Sequence, residues 1–313
     1  MDKTTSIAGG NVVKGMAFVG GYLALYAVLL LFMRRGGFDV SEPLLILGLL
    51  GVGFSAAGWL LTLRVSPLPY PVVSPHKELT IVTAGLVPVV LFVTWGLAFL
   101  HRHFVAEPET SIVILATKLA VFVVGPAILM LVFCGYRPGQ LAPWAMPASH
   151  WLVMLAMSLL LLAFESVLGH GLRDVMAAHL PVGALAVGVP FTLLWLAVEA
   201  GVVEEFFFRV LLQTRLSAAL KSEWGGILLS SLLFGLVHSP GIYLRGSLAQ
   251  EGIQNPTLLM AIGYSVVVVS VAGLFLGFLW ARTRNFLLVV VVHGMGDLLP
   301  NLLPTIRAFH LWH

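Results

Sequence analysis

Charge is scarce in this chain: only 10% of its 313 residues are charged, where a soluble domain carries about 25%. A surface so poor in charge is not built to meet water. The single cysteine, Cys134, excludes an internal disulfide and a cysteine-based zinc site. No His-Glu-x-x-His run occurs, so the helical zinc-protease motif is missing. Ten-residue stretches of alternating polarity are also missing, which rules against a membrane β-barrel. No internal repeat and no low-complexity tail is found.

What the chain has instead is apolar length. Hydrophobic residues make up 59% of it, in recurring runs near the ~20 residues that cross a hydrocarbon core of about 30 Å. In lipid every backbone N–H and C=O must be paired internally, so such runs form helices. The expected fold is all-α, a polytopic membrane bundle of eight or nine transmembrane helices with the lipid bilayer as partner. The predicted spans are 16–33, 44–63, 79–100, 111–134, 151–169, 191–215, 224–238, 258–281 and 286–303. Pro/Gly-rich connectors fall at 66–75 and 138–147, and the polar stretch 170–181 suits the membrane interface. Residues 1–15 lack an apolar run ending at a cleavage site, so the first apolar segment reads as a retained span. In a prokaryotic cell the expected location is the plasma membrane.

The region 182–216 is too long for one straight span, and Pro190 is the expected break because it lacks an N–H and clashes with the preceding turn. The net charge of +3 is spread over short loops. It reads as topology information, and no nucleic-acid partner is expected. With the N-terminus inside, inner loops hold Lys3, Lys14, Arg64, Lys77, Arg137, Arg215, Lys221, Arg282 and Arg284. Outer loops hold Arg34, Arg35, Arg102, Arg173, Arg245 and Arg307. That is a slight preference for this orientation.

Ionisable groups inside a span cost roughly 2.5–3.5 kcal/mol each on insertion scales, so each needs a reason. Those here are Lys118, Glu165, Glu199, Glu204, Glu205, Arg209, His238, His293 and Asp297, and most lie after residue 198. Glu205 and Arg209 are four apart and can pair on one helix face, which leaves Glu204 without an intrahelical partner. His238 precedes Ser239-Pro240-Gly241, an expected helix break, and irregular backbone at membrane depth must be buried in protein or line a water-filled cavity. His293 and Asp297 also share a face, with Gly294 and Gly296 beside them to admit a neighbouring helix or a substrate. Counted inward from the adjoining loops at 1.5 Å per residue, Glu204, His238, His293 and Asp297 lie roughly 16, 21, 12 and 18 Å deep. Four polar residues on three helices therefore converge on one layer. A desolvated carboxylate and a histidine there can hold a water and take its proton, and a second histidine can donate to an oxyanion.

Residues 199–300 resemble the core of the CPBP family of intramembrane proteases, which includes CAAX prenyl proteases and bacteriocin-processing relatives. The resemblance rests on Glu204-Glu205-x-x-x-Arg209, Phe234-x-x-x-His238 and His293-x-x-x-Asp297, with Gly273 to Thr283 also similar. It implies an endopeptidase acting on a membrane-associated protein or peptide. Glu204 would be the general base, assisted by His238, with His293 and Asp297 as the oxyanion pair. Glu205, Arg209 and Phe234 would support them. The family's prenyl proteases carry Asn where this chain has Asp297. An ionised Asp cannot donate to an oxyanion, so Asp297 is either protonated or orients His293. No cofactor is expected. Zinc is the alternative, held by Glu204, His238, His293 and Asp297. An aspartyl mechanism from the Gly294-x-Gly296-Asp297 run fails, because Asp2, Asp39 and Asp174 lie outside apolar runs. A transporter or a silent scaffold is the remaining alternative class. Residues 191–303 are expected to form the catalytic core, 1–190 helices of unassigned role, and 304–313 a short tail.

Overall fold

The computed structural model describes residues 3–142, 145–245 and 255–312. Asp2 and the side chains of Lys3 and Arg245 lie outside the described residues, as does part of the 138–147 connector. The protein is an all-α bundle, and no strand occurs among the described residues. Nine helices there are long and apolar enough to cross a membrane. They are α1 (Val13–Arg35), α2 (Ser41–Leu61), α3 (Pro75–His103), α4 (Glu109–Cys134), α5 (Ala148–Leu168), α6 (Val182–Leu220), α7 (Glu223–Leu244), α8 (Leu258–Thr283) and α9 (Phe286–Ala308). A short helix, Gly171–Ala177, occupies the polar stretch after α5.

Burial separates an inner group from an outer one. In the most apolar stretch of α8, 61% of residues are buried against protein, and in α9 56%, against 6% in α2. The late helices therefore form the centre, and the early ones present apolar side chains such as Leu60, Val132 and Leu152 outward, as a lipid-facing layer must.

Two expected breaks do not occur. Pro190 lies inside α6, which runs on through π-helical turns at Ala197–Val202 and Phe206–Gln213. Ala184, Gly188, Thr192 and Leu196 form a buried stripe either side of the proline, so packing holds both halves in line. Membrane helices tolerate proline because neighbouring helices and local π adjustments compensate for the lost hydrogen bond. Pro240 likewise sits inside the helix Glu223–Arg245, where Ser239 Oγ donates to Ser265 Oγ of α8 at 3.0 Å and Ile242 is buried. His238 therefore lies within a continuous helix and not at its end.

Arg215 is also not a loop residue. It is fully buried in α6, its Nε 3.1 Å from Glu78 Oε2 and its Nη1 donating to the Val210 carbonyl. Tyr70 and Tyr136 flank its guanidinium at 5.5 and 5.3 Å. Glu78 also accepts from the Val73 and Ser74 amides and from Tyr136 Oη. Both Glu78 oxygens are thus paired, as a buried charge requires, while Arg215 Nη2 has no hydrogen-bond partner among the described residues. The Tyr136 hydroxyl, in the loop after α4, is pushed up to about 12, first by burial and then by its hydrogen bond to Glu78.

The turns after α6 and α8 each begin with a left-handed residue, Lys221 and Arg284, which reverses the chain in a few residues. Arg284 Nη2 pairs with Glu223 at 2.8 Å. The α6–α7 and α8–α9 turns thus lie together on one side.

Candidate active site in α6, α7 and α9

Three consecutive phenylalanines fix the rotation of α6. Phe206, Phe207 and Phe208 are all buried and pack edge-on against three different neighbours, Phe286 of α9, Phe122 of α4 and Phe234 of α7. With that face held in three directions, Glu204 and Glu205 just before it have little rotational freedom. The glutamates sit on a single α-turn, Val203–Glu205, between the two π stretches. π-bulges of this kind frequently occur at functional sites.

Close approach sets the distance between α6 and α9. A Cβ on Gly201 would lie 2.6 Å from the Val290 carbonyl oxygen, and one on Gly294 would lie 3.0 Å from the Ala197 amide nitrogen. Only glycine permits this contact. Gly294 therefore admits a helix and not a substrate, while Gly296 faces Leu161 of α5.

Glu205 is fully buried and uses both oxygens. Oε2 accepts from Arg209 Nε at 3.0 Å, and Oε1 accepts from His293 Nδ1 at 2.8 Å. The Arg209 guanidinium, also fully buried, lies over the Phe234 ring at 5.0 Å, a cation–π contact. Phe234 in turn lies against both histidine rings, its centroid 4.8 Å from His238 and 6.3 Å from His293.

Glu204 points elsewhere. Its Oε2 stands 3.9 Å from Nε2 of His238 and 3.9 Å from Nε2 of His293. Both distances exceed a hydrogen bond and suit a single bridging water. His238 Nδ1 is 2.7 Å from the Phe234 carbonyl. A carbonyl only accepts, so Nδ1 carries a proton, and Nε2 on the side toward Glu204 is an acceptor when the ring is neutral. His293 Nε2 is also 3.4 Å from Asp297 Oδ2. Since His293 Nδ1–H donates to Glu205, Nε2 can donate as well only when the ring carries both protons. The structure thus brings Glu204, Glu205, Arg209, Phe234, His238, His293 and Asp297 together. Among the described residues no group of three or more His, Cys, Asp or Glu is arranged to hold a metal ion.

A cavity of about 330 Å³ opens over Glu204 and His238. Its far wall comes from α3 and α4, through residues including Leu97, Ser111 and Lys118. Lys118 pairs with Glu199 of α6 and donates to the Glu199 carbonyl at 3.3 Å. Spacing gave no signal for this pair, because its members lie 81 residues apart. The link between Glu205 and His293 was hidden for the same reason. Glu165, on α5, is close enough to Asp297 for their charges to interact.

Residues 186–299 match the family model described as type II CAAX prenyl endopeptidase Rce1-like. This segment is similar to an Rce1-like domain. It contains all seven residues of the cluster and runs from within α6 to within α9. The Rce1-like match implies a membrane-embedded protease. Helices α1 to α5, and with them Lys118, lie outside it. No curated protein and no solved structure matches the chain.

Proposed function

We propose that this protein hydrolyses a peptide bond in a membrane-associated protein or peptide, with Glu204 as the general base. The observation that carries this is the spacing of Glu204 Oε2 and His238 Nε2, two acceptors 3.9 Å apart at the edge of a cavity. A water between them gives one hydrogen to each and turns its oxygen lone pair to the substrate. As that oxygen bonds to the scissile carbonyl carbon, Glu204 takes its proton. The carbonyl oxygen becomes an oxyanion, to which doubly protonated His293 donates from Nε2. The C–N bond then breaks and Glu204 returns the proton to the leaving amine. Glu205 holds His293 in place, Arg209 holds Glu205, Phe234 packs against Arg209, and Asp297 acts on the Nε2 side. Every step is met by proton transfer and hydrogen bonding from the chain's own residues.

The family description points to proteins ending in a prenylated CAAX sequence as one substrate class. The apolar wall of the cavity, with Ile114, Phe122 and Trp195, supports a substrate that arrives from the bilayer. The test compares membrane proteomes of cells carrying the native protein and Glu204→Gln. An uncleaved membrane-associated protein should accumulate with Glu204→Gln while the variant itself inserts and persists at the native level. Identical substrate processing in both would remove Glu204 from the base role.

A further inference from the structure

Two polar groups of the cavity are not used by hydrolysis: Lys118, outside the Rce1-like match, and Glu199, within it. Lys118 on α4 and Glu199 on α6 form an ion pair on the cavity wall, with 17% and 23% of their side chains accessible. An ion pair within membrane-spanning helices is costly, and one that only joined two helices would have no need to face an open cavity. Its position is equally specific. Glu199 precedes Glu204 by five residues, roughly 7 Å along a helix at 1.5 Å per residue. Two residues of extended peptide span about the same length, at ~3.3 Å each.

We propose that the Lys118–Glu199 pair is a substrate subsite that holds the peptide backbone about two residues from the scissile bond. This rests on the proposed hydrolase function. A peptide group entering a low-dielectric cavity brings one donor and one acceptor, and leaving either unpaired costs free energy. The pair supplies both partners: the ammonium donates to a substrate C=O and the carboxylate accepts from a substrate N–H. Leu97, Ile114, Phe122 and Trp195 around it cover the side chains. Helices α3 and α4, outside the family match, thereby form half of the substrate site.

The experiment measures kcat and KM of the full-length protein in detergent, on a fluorogenic peptide ending in a prenylated CAAX sequence. Peptide binding to the Glu204→Gln variant is measured in parallel. Lys118→Met should raise KM about tenfold, the scale of one hydrogen bond to a charged group, with kcat little changed. It should weaken binding to the same degree in the Glu204→Gln background. The exchange Lys118→Glu with Glu199→Lys rebuilds the ion pair with donor and acceptor on opposite walls. That double variant should recover the native melting temperature but not the native KM. A KM restored by the exchange would show that the pair only ties α4 to α6, and would overturn the proposal. So would an unchanged KM in Lys118→Met, or failure of both variants to fold. Native protein that neither binds nor cleaves the peptide would overturn the proposed function on this substrate, and the subsite with it.

Discussion

His293 Nδ1 lies 2.8 Å from Glu205 Oε1, and the other oxygen of that carboxylate takes Nε of Arg209 at 3.0 Å. One buried side chain therefore fixes the histidine of α9 against α6 and is itself held by an arginine one turn on. The adjacent glutamates divide the work. Both Glu205 oxygens are paired, and Glu204 faces the cavity with no partner closer than 3.9 Å among its two histidines.

That division predicts different failures for the two glutamates. Glu205→Gln leaves the buried Arg209 without its counter-charge, a loss of about 3–5 kcal/mol for a broken buried pair. Thermal unfolding in detergent should shift strongly downward, and activity should fall with it. Glu204→Gln should melt like the native protein and cleave nothing. A Glu205→Gln variant that is stable but inactive, beside an active Glu204→Gln, would exchange their roles.

Glu205 holds the Nδ1 side of the His293 ring, and Asp297 lies on the other side. Its carboxylate faces Nε2, the nitrogen proposed to donate to the oxyanion, at 3.4 Å. Asp297→Asn removes the charge opposite that proton and keeps the side-chain shape. The expected result is a fall in kcat of about tenfold, below the loss of a whole oxyanion donor, with KM unchanged. A native kcat in Asp297→Asn would show that no ionised carboxylate acts there.

Spacing between α6 and α9 should matter as much as the reacting groups. Gly201→Ala places a methyl 2.6 Å from a backbone carbonyl oxygen of α9, and the helices must part. Overpacking of this kind costs about 1–3 kcal/mol. A displacement near 1 Å can cost about 100-fold in rate. Activity should therefore drop more steeply than the melting temperature, although no proposed catalytic residue has changed. Full activity in Gly201→Ala would mean that the α6–α9 distance does not set the Glu204–His293 geometry.

Metal dependence is decided by direct assay. Each proposed step needs only proton transfer and hydrogen bonding, so active protein should contain less than one zinc per chain and keep its rate in chelator. Stoichiometric zinc, with activity lost on stripping and regained on return, would replace the Glu204 mechanism with a metal-bound one.

Much of this protein was legible in the chain itself. The nine apolar runs gave nine spans, because lipid leaves a long apolar segment no alternative to the helix. The Glu205–Arg209 pair followed from a spacing of four on one helix. Rise per residue pointed to a common layer for Glu204, His238, His293 and Asp297, although for Glu204 the count began at Arg215, which is buried within α6.

Tertiary packing decided what local rules could not. Pro190 and Pro240 stay inside helices because neighbouring helices hold both sides in line, whereas proline by itself favours a break. Arg215 looked like a loop charge and is buried, because Glu78, Tyr70 and Tyr136 converge on it from elsewhere in the chain. The same is true of the Glu205–His293 and Lys118–Glu199 contacts, whose members are 88 and 81 residues apart. Hydropathy and periodicity record what each helix needs from its solvent and from its own neighbouring turns. Which side chain meets which across two helices depends on their rotation and separation, set here by Phe206, Phe207 and Phe208 and by the contact at Gly201 and Gly294.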